Sequence, residues 1–443
     1  MPAPDPRGSV ADLARRARIA APVLARMSGS QRSGVLSGIA AALVAETPRL
    51  LDANAADVAA ANLLVRSGQL SVSLRQRLQL DATKLRDLAE GIEQIAAFAD
   101  PIGRVTLATE LDQGLRLERV TCPLGVVGVV FESRPDALVQ IVALCLKSGN
   151  AVLLKGGAEA KRSNEALFDA IHRTAVRSGV PPDALGLLST RQDVAQLLLA
   201  EQYVDLVVPR GSSALVRYVQ DHTRIPVLGH AEGVCHIYVD RAADLDRAVS
   251  ITVDAKTQYP AACNAVETLL VHADVSHAFL PCVVAALAGR GVEVRADRAA
   301  ARAAGPSELV VSAADSDWDA EYGDLILAVK VVGSLQEAIA HINLHGSRHT
   351  DAIVTDDRAA AEQFCAEVDS AGVFVNASTR FADGFRYGFG AELGISTGKL
   401  HPRGPVGLEG LVTYKYRLTG AGHIVADYVG SGARRFSHRT VRL

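Results

Sequence analysis

Residues 126–157 read VVGVVFESRPDALVQIVALCLKSGNAVLLKGG, and the predicted architecture follows from this segment. It opens on an unbroken apolar run, Val126–Phe131, which is typical of a strand buried on both faces. An apolar stretch of helical length follows at Ala137–Lys147, and a second short apolar run ends the segment at Ala151–Leu154. Strand, helix and strand in this order predict two parallel strands joined by a crossover helix.

The same alternation continues along the chain. In the first series, strands are predicted at 185–188, 204–208 and 225–228, with helices at 164–178, 194–200 and 214–221. A second series begins near Asp244, with a helix to about Gln258, strands at 266–271, 325–332, 351–355 and 373–375, and a helix at 335–343. Upstream, Val10–Met27, Arg32–Glu46 and Leu74–Phe98 have the apolar spacing of amphipathic helices. The sequence therefore predicts two α/β domains, each with a parallel sheet.

Two further strand segments lie outside both series, near residues 115–120 and 411–418. Polar and apolar residues alternate in each segment, which is typical of a strand with one solvent-exposed face. One interpretation is a local hairpin packed on its own subunit. The interpretation we favour is an arm that bridges subunits, because exposed strand edges tend to pair with something.

Composition narrows the class of protein. The chain has 443 residues, enough for two or three domains, and a net charge of −3, which argues against a broad basic face and a nucleic-acid partner. There is no CxxC pair and no zinc spacing among its six cysteines, which are Cys122, Cys145, Cys235, Cys263, Cys282 and Cys365. We therefore expect neither a disulfide framework nor a metal site. We also expect the protein to work in a reducing compartment.

Targeting signals are not evident. Residues 1–8 lack the apolar core of a secretory signal. The longest apolar stretches, such as Leu138–Leu146, fall well short of the ~20 residues that a membrane span needs. The expected location is the cytoplasm, with no membrane partner.

Two strand ends carry features that suit phosphate groups. The dinucleotide fingerprint GxGxxG is absent after the first strand. Instead, Lys155–Gly156–Gly157 follows one predicted strand, and Arg210–Gly211–Ser212–Ser213 follows another and opens a helix. Ligands bind such sheets at the carboxyl ends of strands, and helix N-termini favour anions. The alternative for Ser212 is an ordinary helix N-cap.

Cys263 stands apart from the other cysteines. Cys145, Cys282 and Cys365 lie in helical or apolar runs, where a free cysteine is usually a small buried hydrophobe. Cys263 follows a Tyr–Pro break, on a loop between a helix and a strand, and Asn264 comes next. Loops carry functional groups disproportionately, and a donor here suits an oxyanion. Cys263 is therefore the predicted nucleophile.

These features occur within strings that, taken in order, resemble the aldehyde dehydrogenase superfamily, and in particular its reductases of glutamyl 5-phosphate. The strings are Gly128–Pro135, Ser148–Gly157, Pro209–Gly211, Gly233–Asp240, Ala255–Gln258 with Cys263–Asn264, His345–Ser347, Val375–Gly384 and Glu392–Ser396. They extend over roughly residues 115 to 415, so the match is far more specific than any single string.

The resemblance implies an aldehyde-dehydrogenase-like α/β fold with two parallel-sheet domains and a small β oligomerisation arm. It implies an NADPH-binding domain in 1–112 and 124–240, a catalytic domain carrying Cys263 in 241–376, an arm in 113–123 and 405–430, and connecting active-site loops in 377–404. A homo-oligomer, either a dimer or a tetramer, is the expected assembly.

The implied reaction is the reduction of L-glutamyl 5-phosphate to L-glutamate 5-semialdehyde by NADPH, with Cys263 forming a thioester. The implied cofactor contacts are Lys155, Gly156, Gly157, Gly211, Ser212 and Glu321. Asn264 is a candidate oxyanion donor, and Arg134 and Arg380 are candidates for the substrate's carboxylate or phosphate. For each of the two arginines, the alternative role is a surface ion pair. A transient complex with glutamate 5-kinase, which makes the labile substrate, is a further expectation.

Two departures from NAD-linked hydrolytic relatives bear on the chemistry. The glutamate that such enzymes carry three residues after the lysine is Ala158 here, which favours NADP+ over NAD because a carboxylate would repel the 2′-phosphate. Their water-activating glutamate falls on His230, although a two-residue shift of register would bring Glu232 into that role.

Two alternatives remain open on the sequence. One is a hydrolytic, NAD-linked aldehyde dehydrogenase. The other is a catalytically silent member kept as a structural or binding protein, and the intact Cys263–Asn264 pair with both phosphate-binding turns argues against it.

Overall fold

A computed structural model describes residues 9–132, 134–229, 232–400 and 402–442, with the backbone alone for Val72 and Ser73. The helices are α1 Val10–Arg26, α2 Gly29–Ala45, α3 Thr47–Arg66, α4 Val72–Leu78, α5 Ala82–Ala97, α6 Pro135–Lys147, α7 Lys161–Arg177, α8 Arg191–Leu198, α9 Ser213–Asp221, α10 Leu245–Thr257, α11 Ala273–Ala288, α12 Arg298–Ala304, α13 Leu335–His345 and α14 Arg358–Glu367. The strands are β1 Val105–Asp112, β2 Leu115–Pro123, β3 Val126–Phe131, β4 Ala151–Lys155, β5 Leu185–Leu188, β6 Leu206–Arg210, β7 Cys235–Val239, β8 Val266–His272, β9 Glu293–Ala296, β10 Val310–Ser312, β11 Ile326–Val332, β12 Thr350–Val354, β13 Gly372–Val375, β14 Gly394–Ser396, β15 Gly404–Val406, β16 Val412–Thr419 and β17 Arg439–Thr440.

Two parallel sheets form the centres of the molecule, as the sequence predicts. The first has four strands in the order β5-β4-β3-β6, and the second has seven in the order β10-β9-β11-β8-β7-β12-β13. Every pair of neighbours in both sheets is parallel. The two-sheet α/β fold class is therefore confirmed.

The continuous apolar runs mark strands covered on both faces. All six residues of β3 and all five of β4 are buried. In the seven-stranded sheet, successive side chains of β8 point to opposite faces: Leu269 and Val271 pack with α10, α11 and α12, whereas Leu270 packs with α13 and α14. Helices on both faces explain why these strands read as unbroken apolar runs instead of alternating ones.

The chain divides into two compact units. The first comprises residues 1–227, 390–393 and 406–443, and the second comprises 228–389 and 394–405. The sequence-based boundary at 240 differs from this division, because β7 pairs with β8 and β12 in the seven-stranded sheet. The residues of a short buried strand do not indicate which sheet the strand joins. The assignment of β7 to the seven-stranded sheet therefore needed the tertiary structure.

The two outlying strand segments belong to one antiparallel sheet within the first unit. Its order is β16-β2-β1-β17, and β16 pairs with β2 from Val412↔Pro123 to Thr419↔Arg116. Strand β1, which the sequence-based division left in the cofactor domain, is also part of it. The side chains of Tyr414, Tyr416 and Leu418 on the edge strand β16 are exposed. Subunit bridging by this sheet stays a prediction.

Two predicted elements are wrong in detail. The helix predicted over Leu74–Phe98 is two helices, α4 and α5, because the side chain of Asp81 accepts the N–H of Lys84 at 2.7 Å and starts a new helix there. The strand predicted at 225–228 is reduced to a single bridge, Val207↔Val227.

No single helix of the described residues has the length and apolar character to cross a membrane. Helices α2 and α3 meet that criterion only when taken together, and they are bent by 69° at their junction. The buried side chains of α2, among them Leu36, Ile39 and Leu43, belong to the core of the first unit.

Asn150 joins three segments of the first unit. Its Oδ1 accepts the N–H of Gly125 at 2.8 Å, and its Nδ2 donates to Ser148 Oγ at 2.9 Å and to the carbonyl of Leu411 at 2.7 Å. The side chain is fully buried. It therefore satisfies a partly buried N–H before β3 and buried polar groups after α6 and before β16.

We expect Asn150→Ala to destabilise the first unit by about 2–4 kcal/mol, because it leaves the buried Leu411 carbonyl and the partly buried Gly125 N–H without the partner that Asn150 supplies. The measurement is the midpoint of urea denaturation. The control is Gln196→Ala at an exposed position of α8. Equal midpoints for the two variants would contradict this role of Asn150.

Candidate active site

Four segments of the second unit meet at the amino edge of the seven-stranded sheet. Gly233–Val234 precedes β7, Cys263–Asn264 precedes β8, Glu321–Gly323 precedes β11, and His345–Ser347 precedes β12. These strands are neighbours in the order β11-β8-β7-β12 and run parallel. Their amino ends therefore lie side by side, and Cys263 lies among them.

The backbone of Cys263 is tightly held. Its carbonyl accepts the S–H of the buried Cys235 at 3.3 Å. A Cβ on Gly233 would lie 2.7 Å from the Cα of Cys263, so only glycine fits at that position. Gly233 is fixed in turn by its neighbour, because the N–H of Val234 donates to Ser347 Oγ at 2.9 Å. Cys263 itself is half-buried on a loop, where the sequence predicts it.

Asn264 is oriented by the segment after β13. Its Nδ2 donates to the carbonyl of Ala382 at 2.8 Å, which fixes the amide orientation because a flipped amide would place two acceptors together. One N–H of this amide is therefore used. Across the described ranges, the backbone N–H groups of Cys263 and Asn264 donate to no protein acceptor. These two N–H groups are the better candidates for an oxyanion.

Arg380 lies beside the same loop. It is 8% exposed, and its Nε donates to Gln258 Oε1 at 2.9 Å. Its guanidinium carbon is 5.8 Å from the ring centroid of Tyr259. Burial lowers the pKa of Arg380, as does Arg386, while the Cys263 thiol acts in the opposite direction. A guanidinium nevertheless stays charged, so a permanent cation lies within electrostatic reach of the thiol.

Arg134 belongs to the first unit, whereas Cys263 belongs to the second. It is the half-buried residue before Pro135 at the start of α6, next to the carboxyl end of β3. The two predicted substrate arginines, Arg134 and Arg380, therefore lie in different units.

The predicted phosphate-binding turns do lie next to each other. Lys155 ends β4 opposite Val130 of β3, and Arg210 ends β6 opposite Phe131. Strand β3 lies between β4 and β6, where the strand order reverses. Such a reversal opens the crevice in which open α/β sheets bind ligands.

Sequence reasoning overlooked Glu132 at this edge. The N–H of Ser212 donates to Glu132 Oε2 at 2.8 Å, and a side chain on Gly211 would overlap that carboxylate. Ser212 is also the N-cap of α9, accepting from Leu215 at 3.4 Å. The start of this helix therefore already faces an anion, so a phosphate would compete with Glu132 for the Ser212 N–H.

Lys155 is buried beside carboxylates. It is 8% exposed, and burial lowers its pKa, while the charge of Glu159 acts in the opposite direction. Side chains crowd the two glycines that follow: a Cβ on Gly156 would overlap Asn164, and one on Gly157 would overlap Glu159. A side chain at Gly156 would displace Asn164 and Phe131, and one at Gly157 would displace the Glu159 carboxylate. Ala158 does not free the surroundings of Lys155 from negative charge, because Glu159 is beside it.

Glu321 is exposed, and the residues after it are anchored. The Tyr322 hydroxyl donates to Asp317 Oδ1 at 2.9 Å, and the Arg295 guanidinium lies 5.0 Å from its ring centroid. Gly323 has φ 59°, and its N–H donates to Glu267 Oε1 at 3.3 Å. The carboxylate of Glu321 is thus carried on a fixed segment.

A buried ion pair, Lys256–Glu267, was also missed. Lys256 Nζ lies 2.6 Å from Glu267 Oε2, and both side chains are 0% exposed. Burial raises the pKa of Glu267 to about 7 and lowers that of Lys256. The available signal was a glutamate within a strand, β8, whose residues are mostly apolar.

Of the two candidate water-activating positions, only Glu232 is among the described residues. His230 lies outside the described residues. Glu232, the alternative after a two-residue shift of register, is half-buried directly before Gly233. Within the described ranges, no group of three His, Cys, Asp or Glu side chains has a geometry suited to a metal ion.

Comparison with known proteins identifies the relatives of this chain. The family model described as "Aldehyde dehydrogenase family" matches residues 6–308. A gamma-glutamyl phosphate reductase of Synechococcus sp. (strain JA-2-3B'a(2-13)) is 58% identical over 427 residues, which are 96% of this chain and 92% of that protein.

Two solved structures carry the same name. The gamma-glutamyl phosphate reductase of Thermotoga maritima has a TM-score of 0.90 and 39% identity, covering 94% of this chain and 99% of that one. The enzyme of Saccharomyces cerevisiae has a TM-score of 0.51 and 40% identity, covering 94% and 98%. The chain therefore belongs to the aldehyde dehydrogenase family and, within that family, to the gamma-glutamyl phosphate reductases.

Proposed function

We propose that this chain reduces L-glutamyl 5-phosphate to L-glutamate 5-semialdehyde and phosphate with NADPH, through a thioester on Cys263. Its relatives support the coarser statement that it is an oxidoreductase of proline biosynthesis. The observation that carries the finer one is the setting of Cys263. Its half-buried thiol lies on a loop packed closely against Gly233, two backbone N–H groups there have no protein acceptor among the described residues, and the Arg380 cation interacts electrostatically with the thiol.

In the first step, the Cys263 thiolate attacks the acyl carbon of the acyl phosphate. The C–S bond forms, the negative charge moves onto the acyl oxygen, and the C–O bond to phosphate then breaks. The N–H groups of Cys263 and Asn264 stabilise this oxyanion. Phosphate is already an anion and leaves without a proton, so no general acid is required for this step.

In the second step the thioester carbon is reduced. Aldehyde dehydrogenases use nicotinamide cofactors, and the reduced cofactor, when bound, supplies the hydride. The same two N–H groups hold the oxyanion of the resulting thiohemiacetal. That oxyanion then collapses, the C–S bond breaks, and Cys263 leaves as thiolate with the aldehyde released.

The residues present fit a nicotinamide nucleotide. A buried ammonium at Lys155 and an exposed carboxylate at Glu321 suit ribose hydroxyls, which both accept and donate hydrogen bonds. Gly211 and Ser212 would meet the pyrophosphate if Glu132 gives up the Ser212 N–H. Gly156 and Gly157 keep the backbone beside Lys155 free of further side chains.

The substrate's charged groups are assigned by chemistry. Arg380 is proposed to bind the phosphate or the α-carboxylate near Cys263, and Arg134 is proposed as a second contact. The edge strand β16, which exposes Tyr414, Tyr416 and Leu418, supports assembly into a dimer or tetramer. We also propose that the protein forms a transient complex with glutamate 5-kinase. Its proposed location is the reducing environment of the cytoplasm.

We expect Cys263→Ala to lower kcat by more than about 10³-fold, because no other group supplies the covalent route. Circular dichroism and NADPH affinity should stay as in the wild type. Cys282→Ser, at an exposed position of α11, is the matched control and should keep full activity. Retained turnover in Cys263→Ala would refute the thioester.

The reverse reaction separates the proposal from a hydrolytic, NAD-linked aldehyde dehydrogenase. With glutamate 5-semialdehyde as substrate, reduction of NADP+ should require added phosphate, because the thioester is released by phosphate and not by water. The measurement is the rate of NADPH formation with and without phosphate, compared with the same assay using NAD+. Phosphate-independent formation of glutamate would favour the hydrolytic alternative, and a preference for NAD+ would overturn the NADPH assignment.

Arg380→Met is expected to raise the KM for phosphate in that assay by about tenfold or more, since a charge-assisted, bidentate contact contributes roughly 1.5–3 kcal/mol. The control is Arg358→Met on the exposed face of α14. An unchanged KM for both phosphate and the semialdehyde would remove Arg380 from substrate binding.

A further inference from the structure

The buried Lys256–Glu267 pair spans the loop that carries the nucleophile. Lys256 lies in the last turn of α10, and Glu267 is the second residue of β8. Residues 258–265, including Cys263, connect these two elements. With Nζ and Oε2 2.6 Å apart, the pair closes the base of this loop.

The same carboxylate reaches a second segment. Glu267 Oε1 accepts the N–H of Gly323 at 3.3 Å, so each carboxylate oxygen is engaged by a different element. Lys256 Nζ also lies 6.0 Å from the ring centroid of Tyr322. One carboxylate therefore holds both the base of the Cys263 loop and the segment that presents Glu321.

Stability alone does not account for this pair. Taking two charges out of water costs several kcal/mol per ion, and well-packed apolar side chains of similar volume often stabilise a protein as much or more. The rest of β8 is buried, and most of its residues are apolar. A charged pair here is better explained by the geometry that it imposes, because its hydrogen bonds specify distances that apolar contacts leave variable.

Direct participation in the chemistry is excluded for Glu267 by its surroundings. Its side chain is 0% exposed, and its two oxygens are bound by Lys256 and by the Gly323 N–H. Neither water nor substrate reaches it in this arrangement. Its action on the reaction must therefore pass through the two segments that it joins.

We infer that Lys256 and Glu267 are positioning residues that hold Cys263 in register with the Glu321 segment. The inference rests on the proposed function, in which Cys263 carries the acyl group and Glu321 contacts the ribose of the cofactor. The ion pair orients the Cys263 loop, and the Gly323 contact orients the Glu321 segment.

The two contacts are separable by substitution. Lys256→Met and Glu267→Gln each remove the ion pair, while both leave a side-chain oxygen at residue 267 for the Gly323 N–H. Glu267→Ala removes both contacts. Tyr238→Phe is the matched control. Tyr238 lies in strand β7 of the same sheet, and the substitution deletes its buried hydrogen bond to Asp240, which belongs to neither of the two segments.

Two measurements report separately on the geometry of the two segments, and neither depends on turnover. The rate of iodoacetamide labelling at Cys263, normalised to the exposed Cys282 in the same sample by peptide mass spectrometry, reports the nucleophile loop. The dissociation constant for NADPH, from fluorescence titration, reports the cofactor segment.

We expect all three variants to change the normalised labelling rate by on the order of tenfold, because small displacements of a reacting group have large effects. Only Glu267→Ala should also weaken NADPH binding, by about fivefold, the effect of one lost hydrogen bond. Tyr238→Phe should change neither. The apolar double variant Lys256→Met/Glu267→Leu, which keeps a packed interior, should show both losses if a single variant fails to fold.

The inference is overturned if folded Lys256→Met and Glu267→Gln label as the wild type does, or if Glu267→Ala binds NADPH as tightly as Glu267→Gln. Equal losses on both readouts in every variant, Tyr238→Phe included, would indicate general destabilisation and also overturn it. If the wild type itself binds no NADPH, the proposed function fails, while the Cys263 labelling series still decides the role of the ion pair.

Discussion

In a parallel sheet every strand begins at the same edge, and the candidate catalytic centre of this protein follows from that constraint. Strands β11, β8, β7 and β12 are neighbours, so the segments before them share one edge although they are far apart in the chain. These segments hold Glu321, Cys263, Gly233 and Ser347. Gly233 approaches the Cys263 backbone closely, Val234 is bonded to Ser347, and the Glu321 segment is bonded to Glu267 of β8 through the Gly323 N–H.

The buried charged side chains near these segments each have a partner. Lys256 and Glu267 neutralise each other between α10 and β8, and Arg380 is held by Gln258 and lies near the ring of Tyr259. At the carboxyl edge of the other sheet, Glu132 binds the N–H of Ser212. A buried charge is expensive, so each such group points to a requirement for geometry more than to a contribution to stability.

Much of the fold and part of the site could be predicted from local patterns. The apolar runs of β3 and β4 predict strands buried on both faces, and the loop position of Cys263 marks it as different from Cys145. The patterns failed where the outcome depends on distant partners. The sheet that β7 joins, the reach of Glu132 to Ser212 and the Lys256–Glu267 pair all depend on contacts between elements separated along the chain.

The sequence was sufficient to establish the α/β class and the family and to single out Cys263 as the proposed nucleophile, because apolar periodicity and short strings in a fixed order can be read directly along the chain. The tertiary structure decided which groups surround that nucleophile. It showed that the Asn264 side chain already donates to the carbonyl of Ala382, which makes the backbone N–H groups of Cys263 and Asn264 the better candidates for an oxyanion. A hydrogen bond between residues 118 positions apart is set by the packing of whole elements, and no local pattern records it.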